Sequence, residues 1–353
     1  MTNRLLVSAH RLGTLAVVGW LAVAPASGQA PAVSNAKNTP SASTWTPPRT
    51  ADGQPDLGGI WANNAATPLE RPKELADRPF LTDEEVADMT ARAARLFGEN
   101  AGDAAFGDSV YQAVLADLQA FKSRSITGDY STVWMVPREF ENRTSLILDP
   151  SDGRVPALTP DAQTRQAAAA AARLRPPSGP EDLSLQVRCI TYGVPRVGGL
   201  AAGYNSYYQI SQAPGYVVIA MEMIHDARII ALDGRPHLPQ SVRLWHGDSR
   251  GRWEGNTLVV DTTNFSPKSN FMGASDKLHM VERFTRVAPD VLEYEITLSD
   301  PTTWTRPWTS MIRLKQTQDA VYEYACHEGN ESLGGILRGA RADERAADEA
   351  AKK

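Results

Sequence analysis

From Ser206 onward, short segments that could form strands recur roughly every eight to fifteen residues, each closed by Gly, Pro or Asp, and this rhythm most constrains the fold. The candidates run over 206–212, 216–222, 228–232, 242–245, 257–263, 278–287, 291–298, 309–315 and 321–326. Leu292, Tyr294, Ile296 and Leu298 alternate with Glu293, Glu295 and Thr297, the pattern of a strand with one buried face. Turn signals such as Asp233-Gly234 and Ala288-Pro289-Asp290 join these strands into an antiparallel meander. So many strands hide their edges best by closing as a barrel or a two-layer sheet.

Ahead of the strands the period changes to that of a helix. Thr82-Asp83-Glu84-Glu85 reads as a capping box before Val86, Met89, Ala93, Leu96 and Phe97. A second stripe is Val110, Val114, Leu115, Leu118 and Phe121, and a third helix should start at Thr159-Pro160 and stop before Pro176-Pro177. The chain is therefore mainly β, with helical segments of its N-terminal half (about 82–175) packed on the strand-rich part (about 205–327). The single domain should span 56–340, followed by a charged tail at 341–353.

Residues 1–28 read as a secretory signal: Arg4 and Arg11, a short apolar run from Leu12 to Ala24, then small residues. The run is too short to span a bilayer comfortably, so no stable membrane insertion is expected after cleavage; the rival reading is an uncleaved N-terminal anchor. Residues 29–55, rich in Ser, Thr, Pro and Ala, read as a disordered linker. The protein is thus expected in the periplasm or outside the cell, where Cys189 and Cys326 would form one bridge. The rival is a reactive thiol or metal thiolate centred on Cys326-His327-Glu328. A net charge of −5 argues against a nucleic-acid partner.

Several long motifs are specific: the run from Glu222 to Ile230, Asp233 to Pro239, Gly247 to Gly255, Thr303 to Trp308, and Tyr322 to Asn330. Together they resemble a family of exported bacterial proteins. The resemblance spans Pro55 to Arg341 and implies export, but no reaction. More loosely, Gly59-Ile60-Trp61 resembles the opening motif of a lipocalin, whose tryptophan plugs one barrel end beneath an arginine. That likeness implies a lipocalin-like barrel with a ligand cavity.

His225, His237, His246, His279 and His327 all fall in the strand-rich part. The most suggestive cluster is His225-Asp226-x-Arg228. A carboxylate can fix an imidazole's tautomer and raise its basicity, and an arginine can hold an anionic oxygen. Neighbours in a strand point to opposite faces, so Glu222 or Glu328 would orient His225 if Asp226 faces away. The candidate catalytic set is His225, Glu222, Asp226, Arg228, His327 and Glu328; the alternative is a structural network in which Arg228 pairs with Glu222.

No metal-ligand spacing is present, so no cofactor is expected, and a divalent metal held by His225, His327 and Glu328 is the minor alternative. Gly247 to Arg252 has the composition of a phosphate loop without its order, and reads as a charged hairpin turn. Gly247-Asp248-Ser249-Arg250-Gly251 has the G-x-S-x-G letters of the α/β-hydrolase elbow but precedes a strand and not a helix, so a nucleophilic serine is not expected, and no dinucleotide fingerprint occurs. Tyr207, Trp245, Trp304, Arg306, Trp308 and Tyr322 are candidates to line a cavity for a small apolar or aromatic molecule, against a core-filling alternative. The leading expectation is cofactor-free acid–base chemistry of the lyase, hydratase or isomerase type. Non-catalytic binding or envelope interaction comes next, and metal-dependent hydrolysis third. The sequence leaves the oligomeric state open.

Overall fold

The computed structural model describes residues 45–97, 108–118, 136, 138–192, 206–269 and 271–352. The expected signal peptide, residues 29–44 of the expected linker and Phe121 lie outside them. Residues 45–55 are ordered and not linker: Thr50 and Gln54 close a turn, and Arg49 donates to Asn256 Oδ1 at 3.0 Å.

The strands are β1 (Gly59–Ala62), β2 (Ile147–Asp149), β3 (Tyr207–Ala213), β4 (Tyr216–Met221), β5 (Ala227–Ala231), β6 (Asp248–Glu254), β7 (Thr257–Thr263), β8 (His279–Ala288), β9 (Val291–Ser299) and β10 (Trp308–Thr317). β1 and β3 to β10 pair in order, and β1 pairs with β10, so the ring closes as a barrel; β2 adds outside the ring on β10. Closure removes the exposed edges that an open meander would leave.

Every neighbouring pair is antiparallel except β5 and β6, which touch in parallel at Ala231 and Arg250. Two parallel neighbours need a return crossover, and the segment 232–247 supplies it along the outside of the wall. This strap is where the sequence reading fails. The expected strand at 242–245 is part of the strap, bridged to the barrel only at Leu244 and Phe265. The expected charged turn, Gly247 to Arg252, is the start of β6. Its inward positions are Ser249 and Gly251, and its outward ones Asp248 and Arg250, so no apolar alternation marks it. Gly251 is required at the seam, since a Cβ there would meet Leu232 and Ile230 at 2.6 and 2.8 Å.

The barrel interior is one hydrophobic cluster that includes Trp61, Tyr208, Ile219, Ile230, Phe284, Tyr294, Trp308 and Ile312. Trp61 is fully buried, and the Arg286 guanidinium lies 5.4 Å from its ring centre, as the opening motif implied. The expected strand at 321–326 is instead an irregular arm. β10 already pairs with β9 on one side and with β1 and β2 on the other, which leaves it no edge to extend.

The helices are α1 (Asp83–Phe97), α2 (Ser109–Leu115), α3 (Pro160–Arg173) and α4 (Glu331–Ala351). The capping box forms: Thr82 N donates to Glu85 and Glu85 N to Thr82 Oγ1. Met89 and Leu96 of α1 pack with Tyr111 and Val114 in a second, smaller core. Thr159 caps α3 through Ala162 N. The charged tail is the exposed C-terminal part of α4, and Arg341 donates to Pro177 O at 2.7 Å. Among the described residues no helix is long and apolar enough to cross a membrane.

Candidate functional site: an outer cleft bordered by Thr191

The expected catalytic cluster is divided among three places. Arg228 projects from β5 into the barrel, where it is 3% exposed. Its guanidinium donates to both Glu282 oxygens, at 2.8 and 2.5 Å, and to Ser249 Oγ. Tyr294 Oη also donates to Glu282. Burial by itself would lower the arginine's pKa, but the Glu282 carboxylate outweighs it and raises it. Burial and the same carboxylate hold the Tyr294 hydroxyl well above the ordinary phenol range. Arg228 pairs with Glu282 and not Glu222; it is a core residue out of reach of a ligand.

Glu222, His225 and Tyr207 fasten the arm 318–329 to the barrel. Tyr322 N donates to Glu222 Oε1 at 3.0 Å, His225 Nδ1 lies 3.1 Å from Tyr324 O, and Tyr207 Oη donates to Asp319 at 3.3 Å. Burial, with Asp319 beside it, pushes the Tyr207 hydroxyl up to about 12. The Cys189–Cys326 disulfide ties the arm to the segment before Thr191. His225 and His327 come near each other, with ring centres 6.2 Å apart. His225, His327 and Glu328 are exposed. Among the described residues no group of three or more His, Cys, Asp and Glu is arranged to hold a metal ion.

Asp226 goes elsewhere. Ile224 and His225 take left-handed conformations, φ 58° and 45°, unusual for a β-branched residue and a cost of roughly 1–3 kcal/mol each. This turn sends His225 toward the arm and Asp226 the other way. Asp226 Oδ2 lies 2.7 Å from Thr191 Oγ1 and 3.4 Å from His246 Nε2, and His246 Nε2 is 2.9 Å from Thr191 Oγ1. A hydroxyl has one hydrogen. With Asp226 ionised, Thr191 gives it to the carboxylate, so the hydrogen between Thr191 and His246 must belong to His246 Nε2. In a neutral His246 ring Nδ1 is then the nitrogen that can accept a proton.

Thr191 also lines a cavity of about 1140 Å³ outside the barrel. Its walls come from α3, the segment 175–192, Lys268, Ser269, Phe271 and Met272, and Ile336 of α4. Leu183, Leu185, Phe271 and Met272 make it partly apolar, and its charged lining is Arg173, Arg175, Arg188 and Lys268 with Glu181 and Asp182. Glu181 is shared by Arg188 and Lys268, at 2.7 and 3.7 Å. Ser269 donates to Trp245 O at 2.7 Å, which ties this wall to the strap beside His246.

The expected ligand-lining residues do not converge. Trp304 and Trp308 are buried, in edge contact at 5.7 Å. Trp304 and Arg306 border a smaller cavity of about 290 Å³, and Arg306 pairs with Asp149. Tyr322 is exposed on the arm. Neither cavity is lined by the inward side chains of the barrel strands, which form the hydrophobic cluster. The sequence reading did not single out Thr191 or His246, which lie 35 residues before and 20 after Asp226. Only His246 carried a signal: it is the histidine in Leu244-Trp245-His246-Gly247, directly before a motif.

No protein-family model matches the chain, and no curated protein matches it. Among solved structures, a mutant of the fluorescent protein UnaG is similar at 12% identity, over 32% of this chain and 72% of that chain, with a TM-score of 0.20. A likeness this slight carries no argument; the barrel is established by its own strand pairing.

Proposed function

We propose that the protein binds a small amphipathic anion in the outer cleft and moves a proton on it through His246. The observation that carries this reading is Thr191, which lines the cleft and is hydrogen-bonded to both Asp226 and His246. Asp226 and Thr191 hold the Nε2 side of the imidazole and leave Nδ1 as general base, the arrangement that elimination, hydration or isomerisation needs. The apolar wall takes the body of the ligand. Arg173 and Arg175, which have no ion-pair partner among the described residues, take its negative charge.

The test uses 8-anilinonaphthalene-1-sulfonate, an anionic aromatic fluorophore, followed by a screen of small aromatic carboxylates for turnover. One saturable site is expected, weakened at least tenfold in the Arg173→Glu/Arg175→Glu variant and unchanged in His225→Ala. Binding without saturation, or binding indifferent to the two arginines, overturns the site. A second reading, binding without chemistry, is favoured by Thr191 being only 1% exposed. It predicts ligand-dependent thermal stabilisation that His246→Ala leaves intact, with the ligand recovered unchanged.

A further inference from the structure

The strap carries a second histidine whose surroundings the cleft does not use. His237 stands against the outward faces of β6 and β7 with both ring nitrogens engaged: Nδ1 lies 2.9 Å from Asp248 Oδ2, and Nε2 lies 2.9 Å from Asp261 Oδ1. Asp248 also accepts from Leu238 N at 2.9 Å and pairs with Arg250, whose Nε reaches Pro236 O. Asp261 is shared with His279 of β8, whose Nε2 lies 2.9 Å from Oδ2. On the strap itself Arg235 pairs with Asp233. These are the charged groups that face His237, or flank it, from β6, β7, β8 and its own segment.

Carboxylates only accept hydrogen bonds when ionised. Both bonds therefore exist together only while the His237 ring carries both its hydrogens. When it carries one, a bare nitrogen faces a carboxylate oxygen and that half of the clasp becomes repulsive. The rest of the strap is held by neutral bonds from Asn264 to Leu238 O and Pro239 O, from Leu244 N to Asn264 O, from Ser266 N to Leu244 O and from Ser269 Oγ to Trp245 O, and by the Arg243–Asp276 pair. At its far end the strap delivers His246 to Asp226 and Thr191.

We infer that His237 is a positioning residue: doubly protonated, it clamps the strap to β6 and β7 and so holds His246 against Thr191 of the cleft wall. Loss of one ring proton frees the strap near His237 and loosens His246 at its end. The cleft is thereby most ordered while the His237 ring keeps both its protons. This inference rests on the reading of His246 as the proton-transfer group only for its consequence; the clasp itself is read without any activity.

The experiment is NMR of the intact protein between about pH 5.5 and 8, combined with amide exchange at Leu238 and Leu244. In the wild type, protection of both amides, corrected for intrinsic exchange, falls at least tenfold across this interval, and the His246 Nε2–H signal broadens in step. His237→Gln, which cannot bridge two carboxylates, shows low protection and a broadened His246 signal at every pH. His279→Gln keeps both bonds of His237 and retains the wild-type profile. Protection independent of pH, or a His237→Gln variant that behaves like the wild type, overturns the clasp. Strap amides that respond while the His246 signal does not would overturn the positioning role. If the NMR behaves as expected but no carboxylate turns over, the proton-transfer reading fails and the clasp stands.

Discussion

The inside and the outside of one stretch of barrel wall use the same kinds of group to opposite ends. On the inner face of β5 to β9, Arg228 and Glu282 form a pair whose side chains are 1% and 0% exposed, joined by Tyr294 and Ser249. On the outer face of β6 to β8, His237, Asp248, Asp261 and His279 form a chain of similar contacts, with side-chain exposures between 5% and 45%. Burial makes the first permanently charged, because neither partner can give up its charge without stranding the other. Partial exposure makes the second titratable. The comparison separates charges that specify a core from charges that can answer to solvent, a distinction that residue type alone does not make.

The disulfide gives the largest expected effect on this comparison, because it binds the outer arm and the cleft wall to each other. It closes a loop of 137 residues, so Cys189→Ser/Cys326→Ser should cost about 5 kcal/mol in the chain-entropy treatment. Urea unfolding at neutral pH measures it. A loss below about 1 kcal/mol would mean that the arm's hydrogen bonds to Glu222, His225 and Tyr207 hold it unaided.

Next comes the inner pair. Arg228→Met should destabilise by about 3–5 kcal/mol, since Glu282 is left charged and buried, while Arg228→Met/Glu282→Leu should recover most of that loss. If the single and double variants unfold alike, the inner pair is no different in kind from the outer chain.

The pH dependence of the outer chain is smaller and has a definite sign. The hydrogen bond from His279 lowers the Asp261 pKa, and the same bond raises that of His279. The Asp261 contribution is present above the unfolded aspartate's pKa, about 3.9, and is lost as pH falls through its lower folded value. The His279 contribution is complete below the unfolded histidine's pKa, about 6.5, and is lost as pH rises through its higher folded value. Stability from this pair should therefore be greatest between those limits, and Asp261→Asn should flatten the curve on both sides. An unchanged curve in thermal melts from about pH 3 to 8 would sever the outer chain from stability.

The smallest effect should come from an exposed ion pair with no strap over it. Arg313 and Glu293 are 3.0 Å apart on β10 and β9, and Arg313→Ala should change stability by less than about 1 kcal/mol. A larger loss would show that exposure does not sort these charges as the comparison requires.

Much of the fold was legible in the residues. β9 shows its alternation openly, and Trp61 lies buried beneath Arg286. The capping box at Thr82 and the cap at Thr159 form as written. β6 was not legible, because its outer face is covered by a polar strap and its inner face carries Ser249 and Gly251 where a core strand ordinarily shows apolar side chains. The arm at 321–326 has the composition of a strand, but β10, the strand before it, already has both edges paired.

The site was legible only in part. Asp226 was singled out, yet beside His225 and Arg228, which turn away from it: one to the arm, the other into the core. Its actual partners, Thr191 and His246, are 35 and 20 residues distant and meet it through two long-range constraints. One is the disulfide that seats the segment of Thr191, the other the return strap that the parallel seam demands.

The amino-acid sequence by itself determined that this chain would be a β-rich domain with capped helices and one cysteine pair, because periodicity, turn chemistry and caps are local and act on neighbours. The tertiary structure alone decided which charges are buried and which histidine meets which carboxylate. Those outcomes depend on the direction in which β5 and β6 run and on the path of the segment between them, and no local pattern encodes either.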